Sequence, residues 1–235
     1  MRVIKEEYLY QLTFMPRFFP VNCYFIEEED GLTLIDAALP YSVKPILQAA
    51  EKIGKPIKRI VLTHAHGDHI GALDELKAKL DVPVYISNRD SRLLAGDTSL
   101  DSNEPQTQIR GGVPKNIKTT PDMLLKEGNE IGSLLAISTP GHTPGSMSFL
   151  DRRTNLLIAG DAFQTRGGTA VSGVTIPWFP FPAMATWNQE AALQSARKIR
   201  ELRPNLLAVG HGDLLGNPSA PIEKAIQKAE AAFTK

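Results

Sequence analysis

The chain has 235 residues, enough to bury a sizeable core, and its 26 basic and 26 acidic residues leave no net charge. A balanced charge offers no broad field for nucleic acid or an anionic membrane, so neither is predicted as a partner. The single cysteine, Cys23, has no partner for an intrachain disulfide, which suits a reducing compartment. The N-terminus turns acidic at Glu6 and Glu7, before an apolar core of signal-peptide length could form, and no apolar stretch approaches the length of a membrane span. These features predict a cytoplasmic protein.

The first half of the sequence alternates short apolar runs with helical patterns. Strands are predicted at residues 8–14, 22–27, 32–35, 58–62 and 84–87. Ser42 opens a predicted helix whose apolar residues share one face, and Gly54 ends it. A second helix is predicted from His69 to a point before Pro83, and a short one at residues 90–95. The polar segment 96–118, rich in Gly, Pro and Asn, is predicted to be a surface loop.

The second half repeats this organisation. Strands are predicted at residues 134–138, 147–150, 156–159 and 206–209. Thr186 and Gln189 form a predicted capping box for a helix that ends before Pro204, and a last helix carries the apolar residues from Ile222 to Phe233. Strands precede helices in each half, which favours two sheets packed face to face with helices outside. We predict a single domain spanning residues 1–235.

All five histidines lie in short motifs, and two aspartates, Asp68 and Asp161, complete the set of candidate ligands. A lone histidine after a strand more often serves hydrogen bonding than metal binding. Four polar groups in one buried turn would each need a partner, however, and this favours a bound cation. Residues spaced by two point to one side of an extended turn, so His64, His66 and Asp68 are predicted to converge. Imidazole and carboxylate suit zinc and other divalent ions. The predicted metal ligands are His64, His66, Asp68, His69, His142, Asp161 and His211.

The run His-x-His-x-Asp-His, followed in order by His142, Asp161 and His211, resembles the metallo-β-lactamase-fold superfamily over nearly the whole chain. The resemblance implies an α+β fold, a four-layer αββα sandwich with the metals at the rim where the sheets meet. It assigns Asp161 as a bridge between two metals and Asp36 as a support for the ligands. By the same resemblance, the first metal is held by His64, His66 and His142, and the second by Asp68, His69 and His211.

Departures from particular branches of the superfamily narrow the expected activity. Asp161 stands where the resemblance implies a bridging aspartate, which antibiotic-hydrolysing members generally lack, and His66 stands where flavodiiron reductases carry Glu. Gln164 replaces the catalytic tyrosine of acyl-homoserine lactonases, and Asp213 replaces a tyrosine of glyoxalase II enzymes. The resemblance therefore implies a hydrolase of the glyoxalase II-like and lactonase-like group, without a readable substrate signature.

The chemistry implied by this resemblance is hydrolysis of an ester, lactone or thioester of a small-molecule substrate. Two divalent metal ions, zinc first and otherwise iron or manganese, would share the attacking hydroxide. Asp68 is the candidate catalytic residue for moving a proton, and the alternative is that it is only a ligand. Two other classes stay open: a mononuclear iron persulfide dioxygenase-like oxidoreductase, and a scaffold without catalysis, which the filled ligand positions disfavour. The oligomeric state is left open.

The aromatic and proline-rich segment 177–184, with Trp187 close behind, lies between two of the predicted ligand-bearing strands. Two interpretations stand beside each other. The segment either walls an apolar pocket over the metals, or it packs against its own domain or a second subunit.

Overall fold

Two sheets, one from each half of the chain, form the centre of the computed structural model, which describes residues 1–234. The first sheet has seven strands, hydrogen-bonded in sequence order. Its first four strands form an antiparallel meander, and its last four run parallel. The strands are β1 (Arg2–Glu6), β2 (Leu9–Phe14), β3 (Val21–Glu27), β4 (Leu32–Ile35), β5 (Ile57–Val61), β6 (Val84–Ser87) and β7 (Met123–Leu125).

Helices occupy the connections that follow β4, β5 and β6: α1 (Val43–Ile53), α2 (Gly67–Ile70), α3 (Leu73–Leu80) and α4 (Asp90–Leu94). As predicted, α1 ends at Gly54, which adopts a left-handed φ of 79° and donates to two carbonyls of the last turn. The single helix predicted from His69 is divided in two around Gly71. The backbone N–H of Gly71 donates to the carbonyl of Ala38 at 2.7 Å, and any side chain there would collide with Pro40. This close approach explains the break.

The second sheet has six strands in the order β15-β14-β11-β10-β9-β8, with a separate hairpin beside it. The strands are β8 (Glu130–Ile131), β9 (Leu134–Ser138), β10 (Met147–Asp151), β11 (Leu156–Ile158), β12 (Phe163–Gln164), β13 (Ala170–Val171), β14 (Leu206–Ala208) and β15 (Leu215–Gly216). The helices of this half are α5 (Phe181–Met184), α6 (Gln189–Leu202) and α7 (Ser219–Phe233).

The capping box predicted for α6 is wrong. Asn188 is the N-cap residue, and its side-chain oxygen accepts from the backbone N–H of Ala191 at 2.8 Å. The Thr186 hydroxyl instead contacts the carbonyl of Pro182 and the hydroxyl of Ser172. Asparagine caps a helix as well as threonine does, so the sequence pattern alone did not separate the two positions.

Apolar side chains on both faces of the sheets create four layers. Along β3, Cys23 and Phe25 pack towards the helices of the first half, while Tyr24 and Ile26 point between the sheets. This alternation follows from the two-residue period of a strand, and burial on both faces requires a covering layer on each side. A third apolar cluster lies between the second sheet and helices α6 and α7. The predicted α+β fold, an αββα sandwich, is therefore confirmed.

Within residues 1–234, no helix combines the length and the apolar character that crossing a membrane requires. Cys23, the free cysteine, is buried in β3. The assignment of residues 1–235 to a single domain stays a prediction.

Candidate metal centre

The predicted ligands lie at one rim of the sandwich, where parallel strands end. Asp36 follows β4, and the segment 64–69 follows β5, its parallel neighbour. Asp161 and His211 follow β11 and β14, which are parallel neighbours in the second sheet. His142 follows β9, which runs in the direction of β11 because both are antiparallel to β10. Rigid strand ends from both sheets thus deliver the side chains to a common place.

His64, His66 and His142 form a first group, in which one nitrogen of each ring lies within 4.8 Å of the others. His66 Nδ1 is 3.0 Å from His142 Nε2. Burial, together with the neighbouring histidines, holds the pKa of His64 well below its usual value, and burial lowers the pKa of His142 to about 3. These rings are therefore neutral at pH 7 and keep a lone pair for a cation.

Asp68, His69 and His211 form a second group, whose ligand atoms also lie within 4.8 Å of one another. Burial alone would lower the pKa of His69, but the Asp161 and Asp36 carboxylates raise it well above its usual value. Burial also opposes protonation of His211, yet Asp161 and Asp68 raise its pKa to about 10. Asp68 does not lie in an extended turn, as was predicted, but in the first turn of α2, after the extended residue His66.

The carboxylate of Asp161 lies between the two groups. Its Oδ2 is 3.2 Å from Nε2 of His142, in the first group, and 3.2 Å from Nε2 of His211, in the second. Its Oδ1 is 3.5 Å from Nε2 of His69. Burial raises the pKa of Asp161, but the charges of the surrounding histidines hold it well below its usual value. The carboxylate is thus ionised and lies within 3.5 Å of histidine nitrogens from both groups.

The donor atoms at this centre fit divalent metal ions. His64 Nε2, His69 Nε2 and Asp161 Oδ1 are buried and have no hydrogen-bond partner, although the last two face each other as an ion pair at 3.5 Å. Buried polar atoms are rarely left unsatisfied, because each one costs about 1–3 kcal/mol. All three belong to one set of side chains with ligand atoms within 4.8 Å of one another. A divalent cation coordinated by these nitrogen and oxygen atoms would satisfy them together.

Each imidazole also has its outer nitrogen held by a hydrogen bond, so that the other nitrogen faces the centre. Asp36 Oδ2 accepts from His69 Nδ1 at 2.7 Å. Outer partners of this kind fix the ring orientation and the tautomer, and they raise the basicity of a metal ligand. The remaining outer partners are the Thr63 hydroxyl for His64, the Arg110 carbonyl for His66, the Ser172 hydroxyl for His142 and the Pro20 carbonyl for His211.

The supporting contacts of Asp36 agree with the role expected from the resemblance. Besides His69, its carboxylate accepts from the backbone N–H and the hydroxyl of Thr63, both at 2.8 Å. Asp36 adopts a left-handed φ of 61°, a conformation that asparagine also tolerates. One carboxylate therefore fixes both the strand end before His64 and the ring of His69.

Replacing Asp36 with Asn is expected to lower metal affinity about 10- to 100-fold, because the neutral amide no longer polarises the His69 ring. Chelator competition followed by metal analysis measures the change. Asp81→Asn is the matched control, since Asp81 has a φ of 48° and is exposed away from the site. Equal metal affinity in the two variants would contradict the supporting role.

The profile of the Metallo-beta-lactamase superfamily matches residues 16–211, a span that contains all seven predicted ligands. The chain belongs to this superfamily. It is 60% identical to the protein YobT of Bacillus subtilis over 98% of this chain and 99% of that protein. It is 34% identical to YflN of the same organism, a probable metallo-hydrolase, over 81% of this chain and 80% of the relative. GloC of Haemophilus influenzae, a hydroxyacylglutathione hydrolase, is 30% identical over 61% of this chain and 66% of its own length.

Solved structures of the superfamily share the fold. The B3 metallo-beta-lactamase BLEG-1 is 25% identical, covers 90% of this chain and 95% of its own, and superposes with a TM-score of 0.67. TTHA1623, solved in a di-iron-bound form, is 27% identical, covers 89% of this chain and 95% of its own, and gives a TM-score of 0.65. Superfamily membership agrees with a site for divalent metal ions at the rim.

Asp90 ties the ligand-bearing segments of this superfamily member together, a role that its sequence did not reveal. The buried carboxylate accepts from the backbone N–H of Ala65 at 3.0 Å, between two ligands, and from the Thr143 hydroxyl at 2.7 Å. Its second oxygen accepts from the backbone N–H of Gly145 at 2.8 Å. Burial raises the pKa of Asp90 to about 6 despite these hydrogen bonds. The sequence marked Asp90 only as the start of a short helix, because its partners lie far away along the chain.

The aromatic segment 177–184 lines a cleft at some of its positions, and the nearby Trp187 packs against the protein's own core. Phe181 and Pro182 line a cleft over the candidate ligands, as does Ala185 just beyond the segment. Trp187 instead packs into the core of the first half, and its indole N–H donates to the Thr107 carbonyl at 2.8 Å. Trp178 is 91% exposed. The segment therefore forms one wall of the cleft with a few of its residues only.

Metal binding is expected to release protons and to tighten as the pH rises. The pKa of His211 is raised to about 10, and that of His69 is also raised, so both rings are protonated at pH 7 in protein stripped of metal. A divalent ion must displace these protons before it binds. Calorimetric titration with zinc, in buffers of different ionisation enthalpy, measures the proton count. Binding that releases no protons at pH 7 would contradict this expectation.

The raised pKa of His211 also makes the stability of metal-stripped protein depend on pH. The folded-state pKa of His211, about 10, lies above the usual histidine pKa of about 6.5. A raised histidine pKa stabilises the fold fully below about 6.5, and this contribution is lost as the pH rises towards about 10. The Tm of chelator-treated protein is therefore expected to fall across that window, more steeply than the Tm of zinc-loaded protein. Parallel Tm profiles would contradict the assignment.

Proposed function

We propose that this metal-dependent hydrolase holds two divalent metal ions and cleaves an ester, lactone or thioester bond of a small-molecule substrate. Zinc is the ion we propose first, because imidazole nitrogen and carboxylate oxygen are the donors of catalytic zinc sites. The observation that carries the proposal is a set of three buried atoms without a hydrogen bond, His64 Nε2, His69 Nε2 and Asp161 Oδ1, whose side chains have ligand atoms within 4.8 Å of one another.

The relatives support the reaction class. YflN is named a probable metallo-hydrolase, and the name of GloC denotes hydrolysis of an acylated glutathione. The candidate ligands of this chain fill every position that the superfamily resemblance assigns, including Asp161 between the two groups. A complete donor set favours a catalyst over a scaffold.

The side chains of the rim would bind and orient the reactants. His64, His66 and His142 would hold one ion, and Asp68, His69 and His211 the other, with Asp161 contacting both. Ions bound there supply a Lewis acid for the carbonyl oxygen and lower the pKa of a water molecule to about 7. The outer hydrogen bonds keep the five rings in place during turnover, which limits the reorganisation that the reaction requires.

Asp68 is the proposed proton carrier. Its side chain is 27% exposed, whereas the side chain of Asp161 is 3% exposed, and it lines the cleft where substrate would enter. Burial raises the pKa of Asp68, but the hydrogen bond from His211 and the charge of His69 hold it well below its usual value. The ionised carboxylate would take a proton from the attacking water and deliver it to the leaving group.

An Asp68→Asn variant separates this role from simple ligation. If Asp68 carries the proton as well as holding an ion, kcat stays about 10²- to 10⁴-fold below the wild-type value even when added zinc restores two ions per chain. If the loss of rate follows the loss of one ion, and added zinc restores the rate, Asp68 is a ligand alone.

A substrate panel tests the proposed reaction. Zinc-loaded protein is incubated with simple thioesters, lactones and aryl esters, and metal analysis gives the number of ions per chain. We expect about two ions, hydrolysis of at least one substrate class, and loss of turnover with a chelator that added zinc reverses. Inactivity of fully loaded protein on every class would overturn the proposal.

The oxidoreductase alternative stays a hypothesis with its own measurement. Protein purified without added metal is analysed for iron, and oxygen consumption is followed with glutathione persulfide. Iron together with oxygen uptake would replace the hydrolytic proposal, whereas zinc without oxygen uptake supports it. The di-iron form of TTHA1623 makes the iron analysis necessary.

A further inference from the structure

The cleft above the candidate metal centre has a volume of about 330 Å³. Five candidate ligands form its floor, and the rest of its lining consists of Phe19, Gly67, Gly112, Phe181, Pro182 and Ala185. Within residues 1–234, no Lys or Arg side chain lines this cleft. Beyond the ligands, the surface offered to a substrate is therefore apolar and uncharged.

Aromatic rings cover one side of the cleft, next to His211. The ring centroid of Phe19 is 5.1 Å from that of Phe181 and 5.3 Å from that of Phe179. The rings of Phe19 and Phe179 also lie 5.3 and 5.5 Å from the His211 ring. Phe179 is buried and anchors the cluster, while Phe181 is 50% exposed. Phe19 and Phe181 thus present apolar surface beside one half of the metal centre.

The part of the cleft next to His66 is built from small residues. A Cβ atom placed on Gly111 would lie 2.5 Å from Nε2 of His66 and 3.1 Å from the Cβ of Ala185. Gly112 and Ala185 line the cleft there. The backbone approaches the His66 ring too closely for larger side chains, so the lining beside His66 is small and the lining beside His211 is aromatic.

We propose that the substrate carries an uncharged apolar group, alkyl or aryl, that packs against Phe19 and Phe181 beside His211. This inference rests on the proposed hydrolytic function and adds the substrate class to it. Burying one methylene group contributes about 0.8 kcal/mol, equivalent to about a fourfold gain in kcat/KM. A charged group on that wall would leave water without a cationic partner, which disfavours its binding. Acylated glutathione, which carries carboxylates, is therefore expected to be a poor substrate.

Two thioester series test the proposal with zinc-loaded full-length protein. One series lengthens the acyl chain of S-ethyl thioesters from acetyl to hexanoyl, and the other lengthens the thiol of acetyl thioesters from ethyl to hexyl. Water cleaves each thioester to a carboxylate and a thiol, and the released thiol is measured. We expect kcat/KM to rise at least about tenfold along one series, and to fall at least about tenfold when a carboxylate ends the longer chain.

Variants connect any chain-length dependence to the aromatic wall. Phe181→Ala is expected to reduce the rise in kcat/KM to less than about threefold. Trp178→Ala is the matched control, because Trp178 is 91% exposed on the same loop and is not among the residues lining the cleft. This control is expected to keep the full rise. A binding measurement complements the kinetics: 2-octanone, which is not hydrolysed, is expected to bind metal-stripped protein more tightly than acetone does, and Phe181→Ala to remove the difference.

The failures of the two proposals are distinguishable. If no thioester, lactone or ester is hydrolysed by loaded protein, the proposed function fails. If thioesters are hydrolysed but both series are flat, or acylated glutathione is preferred, the inference about the substrate fails while the hydrolytic function stands. A rise that Phe181→Ala leaves unchanged would also overturn the assignment to this wall.

Discussion

Replacing Asp161 with Asn is expected to lower hydrolysis by at least about a hundredfold and to reduce the bound metal to fewer than two ions per chain. The carboxylate is 3.2 Å from Nε2 of His142 and from Nε2 of His211, which belong to different ligand groups. An amide in the same place keeps one oxygen but presents N–H hydrogens where the second oxygen faces the centre. Metal analysis and the rate on the best substrate of the panel measure the two losses.

The same substitution has an electrostatic consequence that does not depend on activity. The Asp161 charge raises the pKa of both His69 and His211. Without that charge, the two rings lose their protons at lower pH, so the alkaline fall in Tm of metal-stripped protein is expected to move to lower pH. Tm measured across pH 6 to 10 tests this shift.

Asp151→Asn serves as the control for the loss of a buried carboxylate. Asp151 is also buried, but it ends β10, which runs antiparallel to β9 and β11, so it lies at the strand ends opposite the metal centre. There it binds the Arg153 guanidinium at 2.6 Å. We expect this variant to lose stability and to keep its metal. Wild-type turnover with two ions in Asp161→Asn, or equal metal loss in both variants, would contradict the bridging role.

Much of the candidate site was predictable because its ligands follow short, strongly apolar strands. The β4 strand and the β6 strand have the predicted bounds, and β5 differs by one residue at each end. When apolar runs of this kind become parallel neighbours, the polar residues that follow them converge at one edge. The apolar runs in the sequence therefore predict that His64, Asp161 and His211 lie at one end of the strands.

The edge strands β7 and β8 are not predicted from the sequence, because neither carries a run of apolar residues long enough to indicate a strand. The β7 strand exposes Met123 and Leu124, and only Leu125 is buried. The two residues of β8 alternate between exposed and buried. Such strands form because a neighbour already offers unpaired N–H and C=O groups, which is a property of the assembled sheet rather than of the local sequence.

The outer hydrogen bonds of the histidines were beyond the sequence for a related reason. The partner of His211 is the carbonyl of Pro20, and the partner of His66 is the carbonyl of Arg110. Every residue has a carbonyl group, so no side-chain pattern in the sequence predicts which carbonyls accept a hydrogen bond from a histidine. Asp36 was the exception, because a carboxylate at a fixed place in the superfamily pattern carries its own signal.

Gly111 is a position that the sequence does not single out but that fixes the His66 ring in the candidate metal centre. It adopts a left-handed φ of 88°, and a Cβ atom there would lie 2.5 Å from both Cε1 and Nε2 of the His66 ring. The preceding carbonyl, that of Arg110, is the acceptor for His66 Nε2 at 3.0 Å. The loop therefore both contacts and hydrogen-bonds the ring, whose Nδ1 faces His142. Any side chain at Gly111 must displace the ring or the loop.

Replacing Gly111 with Ala is expected to weaken metal binding about 10- to 100-fold at the group that contains His66, because the ring moves away from His142. The strained backbone adds a loss of stability of about 1–2 kcal/mol, since a non-glycine residue resists a left-handed φ. Gly128→Ala isolates that second effect: Gly128 has a φ of 83°, and nothing lies within 4 Å of an added Cβ. Both variants should therefore lower Tm, but only Gly111→Ala should lose metal in chelator competition. Equal metal affinity in the two would show that His66 is positioned without this loop.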